Sequence, residues 1–240
     1  MKRLLAAFVV GTVLLACGGG ASNSSTPTSP STPAADTSTF QGTVAGSAGQ
    51  SGTLAVTVQA RVAASSASVF GSPFVATLYA QATTVAATAS LHIASGSTTA
   101  LTGTFDSVTK ALNLSGGGFT FKGGVLSGTY TGPSGVTGGF STLSTANGTV
   151  TAYCGTFSNG AGTGVFNIQV SAIGSVSGVA SQGDQVVYIS GQVTGTTIKM
   201  THTDGGSDTG TIQNGTVSGT ADPGSGGSSH PFSGSTSACR

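Results

Sequence analysis

The sequence predicts an all-β protein: an antiparallel meander that closes into one or more up-and-down β-barrels, with a β-sandwich as the alternative. Gly, Ser and Thr account for 40, 35 and 38 of the 240 residues, whereas Glu, Lys, Leu and Met, which favour helices, are scarce. Apolar residues alternate with small or polar ones from Phe40 onward, the pattern of half-buried strands. Turn signals such as Asn-Gly and Asp-Gly recur in the second half every 10 to 14 residues, as expected for successive hairpins.

Residues 1–16 are predicted to be a signal peptide. Residues 1–3 (MKR) carry two positive charges, and residues 4–15 form an apolar stretch of twelve residues without any charge. This stretch is too short to cross a membrane, which takes about 20 residues, but it has the length of a signal-peptide core. Export from the cytoplasm follows from this interpretation.

The end of this leader, LLAC at residues 14–17, resembles the lipobox of bacterial lipoproteins. The resemblance implies that Cys17 receives a diacylglyceryl group on its sulfur, that cleavage occurs before it, and that its new amine is acylated in many bacteria. Two or more acyl chains anchor a protein stably. The resemblance therefore implies an exported protein whose partner is the membrane, held through its N-terminal lipid. In a host with an outer membrane, the expected location is that membrane, at its periplasmic face or at the cell surface.

The remaining chain divides into three segments. Residues 17–39 contain the lipidated Cys and a tether rich in Ser, Thr, Pro and Gly, which has too few apolar side chains to offset the entropy of ordering. Residues 40–146 form a first β meander with less regular turns. Residues 147–240 form a second one of about eight strands, the number that closes a small barrel.

A weak internal echo relates the two meanders. Residues 101–129 can be laid over residues 189–220, so that the tracts VLSGT and VSGT coincide. A true duplication favours two similar barrels or one barrel of related halves. If the echo only reflects a composition rich in Gly and Thr, one larger sheet or a sandwich remains open.

Composition excludes several classes of function. The chain has 13 charged residues, with six Asp and no Glu, so no glycosidase can be built here on paired Glu side chains. Seven basic residues provide no patch for neutralising phosphates, and we predict no nucleic-acid partner.

The few residues able to carry chemistry form no motif. His92 alternates with apolar neighbours on a strand and is predicted to face solvent, His202 lies where a strand enters a turn, and His230 lies at the end of a loop. Stabilisation of turns accounts for most of the Asp residues, namely Asp106, Asp184, Asp204, Asp208 and Asp222. Neither a nucleophile elbow nor a short His spacing for metal binding occurs. We therefore predict no catalytic residue, no metal site and no cofactor, and hold a hydrolase only as a third interpretation.

Two hypotheses of function remain. The first is a non-enzymatic envelope lipoprotein whose β domain is structural or binds other proteins. The second is a barrel that binds a glycan or a small apolar ligand in its interior or mouth. Four tyrosines are candidates for the rim of such a pocket, although ordinary packing at barrel ends is the favoured interpretation: Tyr79, Tyr130, Tyr153 and Tyr188.

The two remaining cysteines are predicted to form a disulfide. With Cys17 acylated, Cys154 and Cys239 are the only thiols left, in a compartment that permits oxidation. They fall on the first strand of the second meander and just beyond its last strand, which are neighbours in a closed barrel. In an idealised antiparallel register, Cys239 would lie at the opposite end from Cys154. The bond therefore requires either barrel shear or a tail that folds back.

Overall fold

The computed structural model describes residues 37–59, 83–94, 96, 98–224 and 227–240. These residues form sixteen antiparallel strands in meander order, arranged as two closed barrels of eight strands each. The predicted fold class is thereby confirmed, and the sandwich alternative is not adopted. In the described part of the chain, no helix is long and apolar enough to span a membrane. The predicted signal peptide and the predicted lipidation site Cys17 lie outside the described residues.

The first barrel contains strands β1 to β8, with β8 closing on β1. Strand β1 starts three residues before the predicted start of the meander at Phe40. The strands are β1 (Thr37–Gly46), β2 (Gln50–Gln59), β3 (Thr84–Ile93), β4 (Thr98–Asp106), β5 (Ala111–Gly116), β6 (Phe119–Gly124), β7 (Ser127–Thr131) and β8 (Thr137–Ser144).

The second barrel contains strands β9 to β16, with β16 closing on β9. Most of its turns fall at the predicted signals and contain a glycine with a positive φ angle, at Gly174, Gly183, Gly195, Gly205 and Gly215. The strands are β9 (Val150–Asn159), β10 (Gly162–Ser171), β11 (Ser175–Gln182), β12 (Gln185–Thr194), β13 (Thr197–His202), β14 (Ser207–Gln213), β15 (Thr216–Asp222) and β16 (His230–Ser235).

Both barrels are filled by their alternating apolar residues, because every second side chain of a strand points inward. Leu54 and Val56 in β2, for example, are each 1% exposed, as the alternation predicts. The core of the first barrel also contains aromatic side chains, and the core of the second barrel contains fewer of them near one of its ends.

The two barrels have the same strand register. A row of cross-strand partners runs through the fifth to eighth strands of each barrel at the same level, and we call it the lower row. It reads Leu112, Gly123, Gly128 and Phe140 in the first barrel, and Ile198, Gly210, Gly219 and Phe232 in the second. The echo in the sequence pairs β4 to β7 with β12 to β15, the same strand positions in the two barrels, which supports duplication of one barrel.

A buried polar network joins the outer faces of the two barrels. Asn167 and Gln169 in β10 are both fully buried. The Thr43 hydroxyl donates a hydrogen bond of 2.7 Å to Gln169 Oε1, and the Asn167 amide nitrogen donates to the carbonyl of Val44. The Ser51 hydroxyl donates to Asn167 Oδ1 at 2.8 Å. Because these bonds satisfy groups that water cannot reach, they fix how the barrels pack.

Small residues allow this close packing. Ala45, Val165 and Val179 form an apolar cluster between the barrels. A Cβ atom on Gly139 would lie 2.8 Å from Val179 Cγ2 and 2.5 Å from Val186 Cγ1, so only glycine fits there.

The contacts also show how the barrels are aligned. Along β1, Thr43 contacts Gln169 and Ala45 contacts Val165. Moving along β1 away from Thr37 is therefore moving along β10 toward Gly162. The end of the first barrel at which β1 begins is therefore the end farther from the β9–β10 turn of the second barrel.

The disulfide between Cys154 and Cys239 is confirmed, with the two Cα atoms 5.0 Å apart. Cys154 pairs with Ser235 across the seam between β9 and β16. After Ser235 the chain enters a short 3-10 turn (Ser237–Cys239) that carries Cys239 back over β9. Of the two geometries that the sequence left open, the tail that folds back is the one adopted.

Candidate binding site at the mouth of the second barrel

Four turns of the second barrel meet at one end, which we call the mouth. They join β9 to β10, β11 to β12, β13 to β14 and β15 to β16. Between them lies a cavity of about 300 Å³, which we call the mouth cavity. Its floor is apolar and its walls are polar; the lining includes Phe157, Phe166, Phe232, His202, Asp208 and His230. Sites for small molecules begin at about this volume.

The corresponding end of the first barrel is closed by aromatic rings. Phe121 and Tyr130 are cross-strand partners, stacked with their ring centres 5.2 Å apart, and both are almost fully buried. The Tyr130 hydroxyl donates to Gln50 Oε1 at 2.9 Å, so the polar tip of this plug is satisfied as well.

The second barrel replaces this plug with smaller or polar side chains. One level above the lower row runs a second row of cross-strand partners, the upper row. It reads Leu114, Phe121, Tyr130 and Gly138 in the first barrel, and Met200, Asp208, Ala221 and His230 in the second. Asp208 and Ala221 thus occupy the places of the two stacked rings. The mouth cavity exists because those rings are missing.

Asp208 and His202 form a buried pair at the wall of the cavity. His202 Nε2 lies 2.8 Å from Asp208 Oδ2, and the two side chains are 14% and 6% exposed. A carboxylate this deeply buried is tolerated only with a partner, because burying an isolated charge is costly. The contact with His202 provides a hydrogen-bond partner for Oδ2 of Asp208, whereas Oδ1 has none within the protein.

Two opposing effects act on the pKa of His202. Burial alone would lower this pKa, but the hydrogen bond that His202 donates to Asp208 and the charges of Asp208 and Asp204 outweigh burial and raise the pKa above the ordinary 6.5. His202 therefore keeps its proton to a higher pH than a free histidine. Asp204 Oδ1 lies 3.7 Å from His202 Nδ1 and accepts the backbone N–H of Gly206, which fixes the turn between β13 and β14.

Two residues that line the cavity each carry a buried polar atom without a partner. Among the described residues, Asp208 Oδ1 and His230 Nδ1 are the buried side-chain atoms that make no hydrogen bond within the protein. The two residues flank Ala221 in the upper row, with adjacent strands about 4.8 Å apart. The His230 ring lies on Phe157, with centres 5.5 Å apart. Since buried polar atoms nearly always have partners, two unpaired ones across a small residue indicate a place for a ligand or water.

The interpretation of Asp208 as a turn residue is wrong. Asp208 lies within β14 and points inward, whereas Asp106 does stabilise a turn, by accepting the backbone N–H groups of Val108 and Thr109. His202 and His230 lie at strand ends, but on inward faces. One signal was present in the sequence, because His202 continues the alternation of Ile198 and Met200.

The four candidate tyrosines are not brought together. Tyr79 lies outside the described residues, and Tyr130 belongs to the plug of the first barrel. Tyr153 is buried in the second core and does not line the mouth cavity. Tyr188 lies between the barrels, where its hydroxyl donates to the carbonyl of Gly128 at 2.9 Å and its side chain borders a separate crevice of about 260 Å³.

The mouth cavity has no metal-binding geometry. Within the part of the chain that the structure describes, no three His, Cys, Asp or Glu side chains are placed to hold a metal ion.

Comparisons of the chain with protein-family models, with curated proteins and with solved structures found no match. The proposals below therefore depend on the geometry of this chain alone.

Proposed function

We propose that this protein is an exported, lipid-anchored binding protein that takes up a small molecule in the mouth cavity of its second barrel. The observation that carries the proposal is a cavity lined by Asp208 and His230, each with an unpaired buried atom, at the place where the first barrel is filled by the rings of Phe121 and Tyr130. The first barrel supports the second through the buried contacts of Asn167 and Gln169.

The chemistry of the cavity supports binding over a purely structural role. A buried polar atom without a partner costs about 1–3 kcal/mol, which a packed core would avoid. A bound molecule that supplies hydrogen bonds to both atoms would recover this cost, while Phe166 and Phe232, whose rings meet edge to face, offer it an apolar floor. An apolar floor with a few converging polar groups is the usual design of small-molecule sites.

Filling the mouth cavity tests this function. We expect Ala221→Tyr to place a ring where the first barrel holds Tyr130, and so to abolish ligand binding without unfolding the barrel. The free energy of unfolding should stay within about 1 kcal/mol of wild type, because the cavity offers space for the new side chain. Native mass spectrometry of the protein purified from its own host then compares the small molecules retained by wild type and variant.

The matched control is Thr220→Tyr, which adds the same side chain to the outward face of the same strand. It should retain the ligand as wild type does. Two results would contradict the proposal: retention of the same molecule by Ala221→Tyr, or a wild-type protein that carries no small molecule and takes up none from a host extract.

The lipid anchor has its own test at Cys17. The leader ends in LLAC, so Cys17→Ser should leave an uncleaved precursor that takes up no palmitate, whereas wild type is labelled and needs detergent for release from membranes. Ser22→Ala, a neighbouring change that spares the lipobox, should be processed normally. Equal membrane retention of wild type and Cys17→Ser, with palmitate on neither, would exclude the anchor.

A further inference from the structure

We propose that the ligand of the mouth cavity is a small aromatic amine, whose ring replaces the missing plug and whose ammonium group pairs with the carboxylate of Asp208. This inference rests on the proposed function and specifies its ligand class. Three features of the cavity carry it: its shape, the charged groups that line it and the buried carboxylate of Asp208.

The shape of the ligand follows from the first barrel. In the first barrel, the equivalent positions carry the stacked rings of Phe121 and Tyr130, with centres 5.2 Å apart and an angle of 20° between their planes. In the second barrel, the places of those rings are taken by Asp208 and Ala221, above a lower row of the same pattern. A flat ring lying over Ala221 would therefore restore the packing that the first barrel achieves with its own side chains.

Aromatic side chains surround that position. Phe157, Phe166 and Phe232 all line the cavity, and Phe166 meets Phe232 edge to face with ring centres 5.2 Å apart. Rings in such a cluster offer both faces and edges to another ring. Their faces also attract a nearby cation, which favours a positively charged group on the ligand over a negative one.

The charge of the lining points in the same direction. Asp204 and Asp208 line the cavity beside two histidines, His202 and His230, and none of the described lining residues is Lys or Arg. An ammonium group would pair with a carboxylate here and meet no lysine or arginine. A carboxylate would instead approach a second carboxylate in a poorly hydrated site, where like charges repel strongly.

The carboxylate of Asp208 is the partner for the ammonium group. Asp208 lines the cavity and is 6% exposed, and an ionised carboxylate accepts hydrogen bonds and donates none. Its Oδ2 is held by His202 at 2.8 Å, so the carboxylate keeps a fixed direction. His230 Nδ1, across Ala221, is a second polar contact for the same end of the ligand.

A set of probes that share one ring tests the amine. Phenethylamine, phenethyl alcohol and hydrocinnamate differ mainly in the polar group, and butylamine has the amine without the ring. Calorimetric titration of the full chain at neutral pH should give the tightest binding for phenethylamine. A hydrogen bond to a charged group predicts a preference of about 10-fold to 100-fold over the alcohol. Butylamine should bind far more weakly than phenethylamine.

Asp208→Asn tests the residue. This variant removes the carboxylate but keeps the size of the side chain, and it should reduce the affinity for phenethylamine by about tenfold or more while leaving that for phenethyl alcohol within a few-fold. Asp184→Asn removes the same charge from an exposed turn of the same end and should change neither affinity. Circular dichroism confirms that both variants remain folded. If Asp208→Asn does not fold, the relative affinities of wild type for the four probes decide whether the ligand is an amine.

The outcomes separate this inference from the proposed function. Preferential binding of phenethylamine that depends on Asp208 supports both. Binding of the alcohol or of hydrocinnamate as tightly as the amine, lost in Ala221→Tyr, overturns the amine and leaves the binding function standing. Binding of none of the ring compounds overturns the amine, and the binding function is then decided by whether wild type, but not Ala221→Tyr, retains a small molecule from its host.

Discussion

Removal of the Cys154–Cys239 disulfide is expected to lower the free energy of unfolding of the second barrel by about 4–5 kcal/mol. The two cysteines are 85 residues apart, so their bond restricts a large part of the unfolded chain. It lies at the seam between β9 and β16, the one pair of neighbouring strands in this barrel that no hairpin connects. Urea unfolding of the double variant Cys154→Ala/Cys239→Ala, followed by hydrogen exchange of the β9 and β16 amides, measures the loss.

Reductant provides the matched control for this experiment. Wild-type protein in dithiothreitol should unfold as the double variant does, and the double variant should not respond to dithiothreitol. Equal stability of the oxidised wild type and the double variant would show that the bond contributes nothing to closure of the barrel.

Truncation of Phe121 should cost the first barrel about 3–5 kcal/mol, the usual range for a large aromatic residue in a core. Phe121 is fully buried, and its ring lies 5.2 Å from that of Tyr130 and 5.5 Å from that of Phe140. Phe121→Ala would leave a void among rings that cannot close in on it. Chemical unfolding with far-ultraviolet circular dichroism measures the change.

Val108→Ala is the control for this truncation. Val108 is 66% exposed in the turn between β4 and β5, and its truncation should change stability by no more than about 0.5 kcal/mol. A loss below about 1 kcal/mol for Phe121→Ala would mean that the aromatic plug is not what holds this end of the first barrel together.

The barrels were predictable because their signals are local. Alternating residues such as Leu112 and Leu114 mark the inward face of a strand, and Asn214-Gly215 marks the turn beside it. Packing between the barrels was not predictable in this way. Tyr188 points outward from β12 and looks like a rim residue, but which outer faces meet depends on tertiary contacts such as Gly139 against Val179.

The site was only partly predictable. A binding barrel was among the hypotheses, but its tyrosines are not the residues that line the mouth cavity. Asp208 follows two glycines and a serine and so resembles a turn residue. Its burial depends on a histidine from the neighbouring strand, and that pairing requires the register of β13 and β14. The missing plug becomes visible only when the two registers are compared.

The direction of strand β1 has a consequence for how a molecule would reach the site. The first barrel begins at Thr37 at the end away from the β9–β10 turn, so the mouth of the second barrel opens on the side opposite the point where the chain enters. A molecule that enters the mouth therefore approaches the pair of barrels from the end away from Thr37, and the start of β1 does not lie in its path.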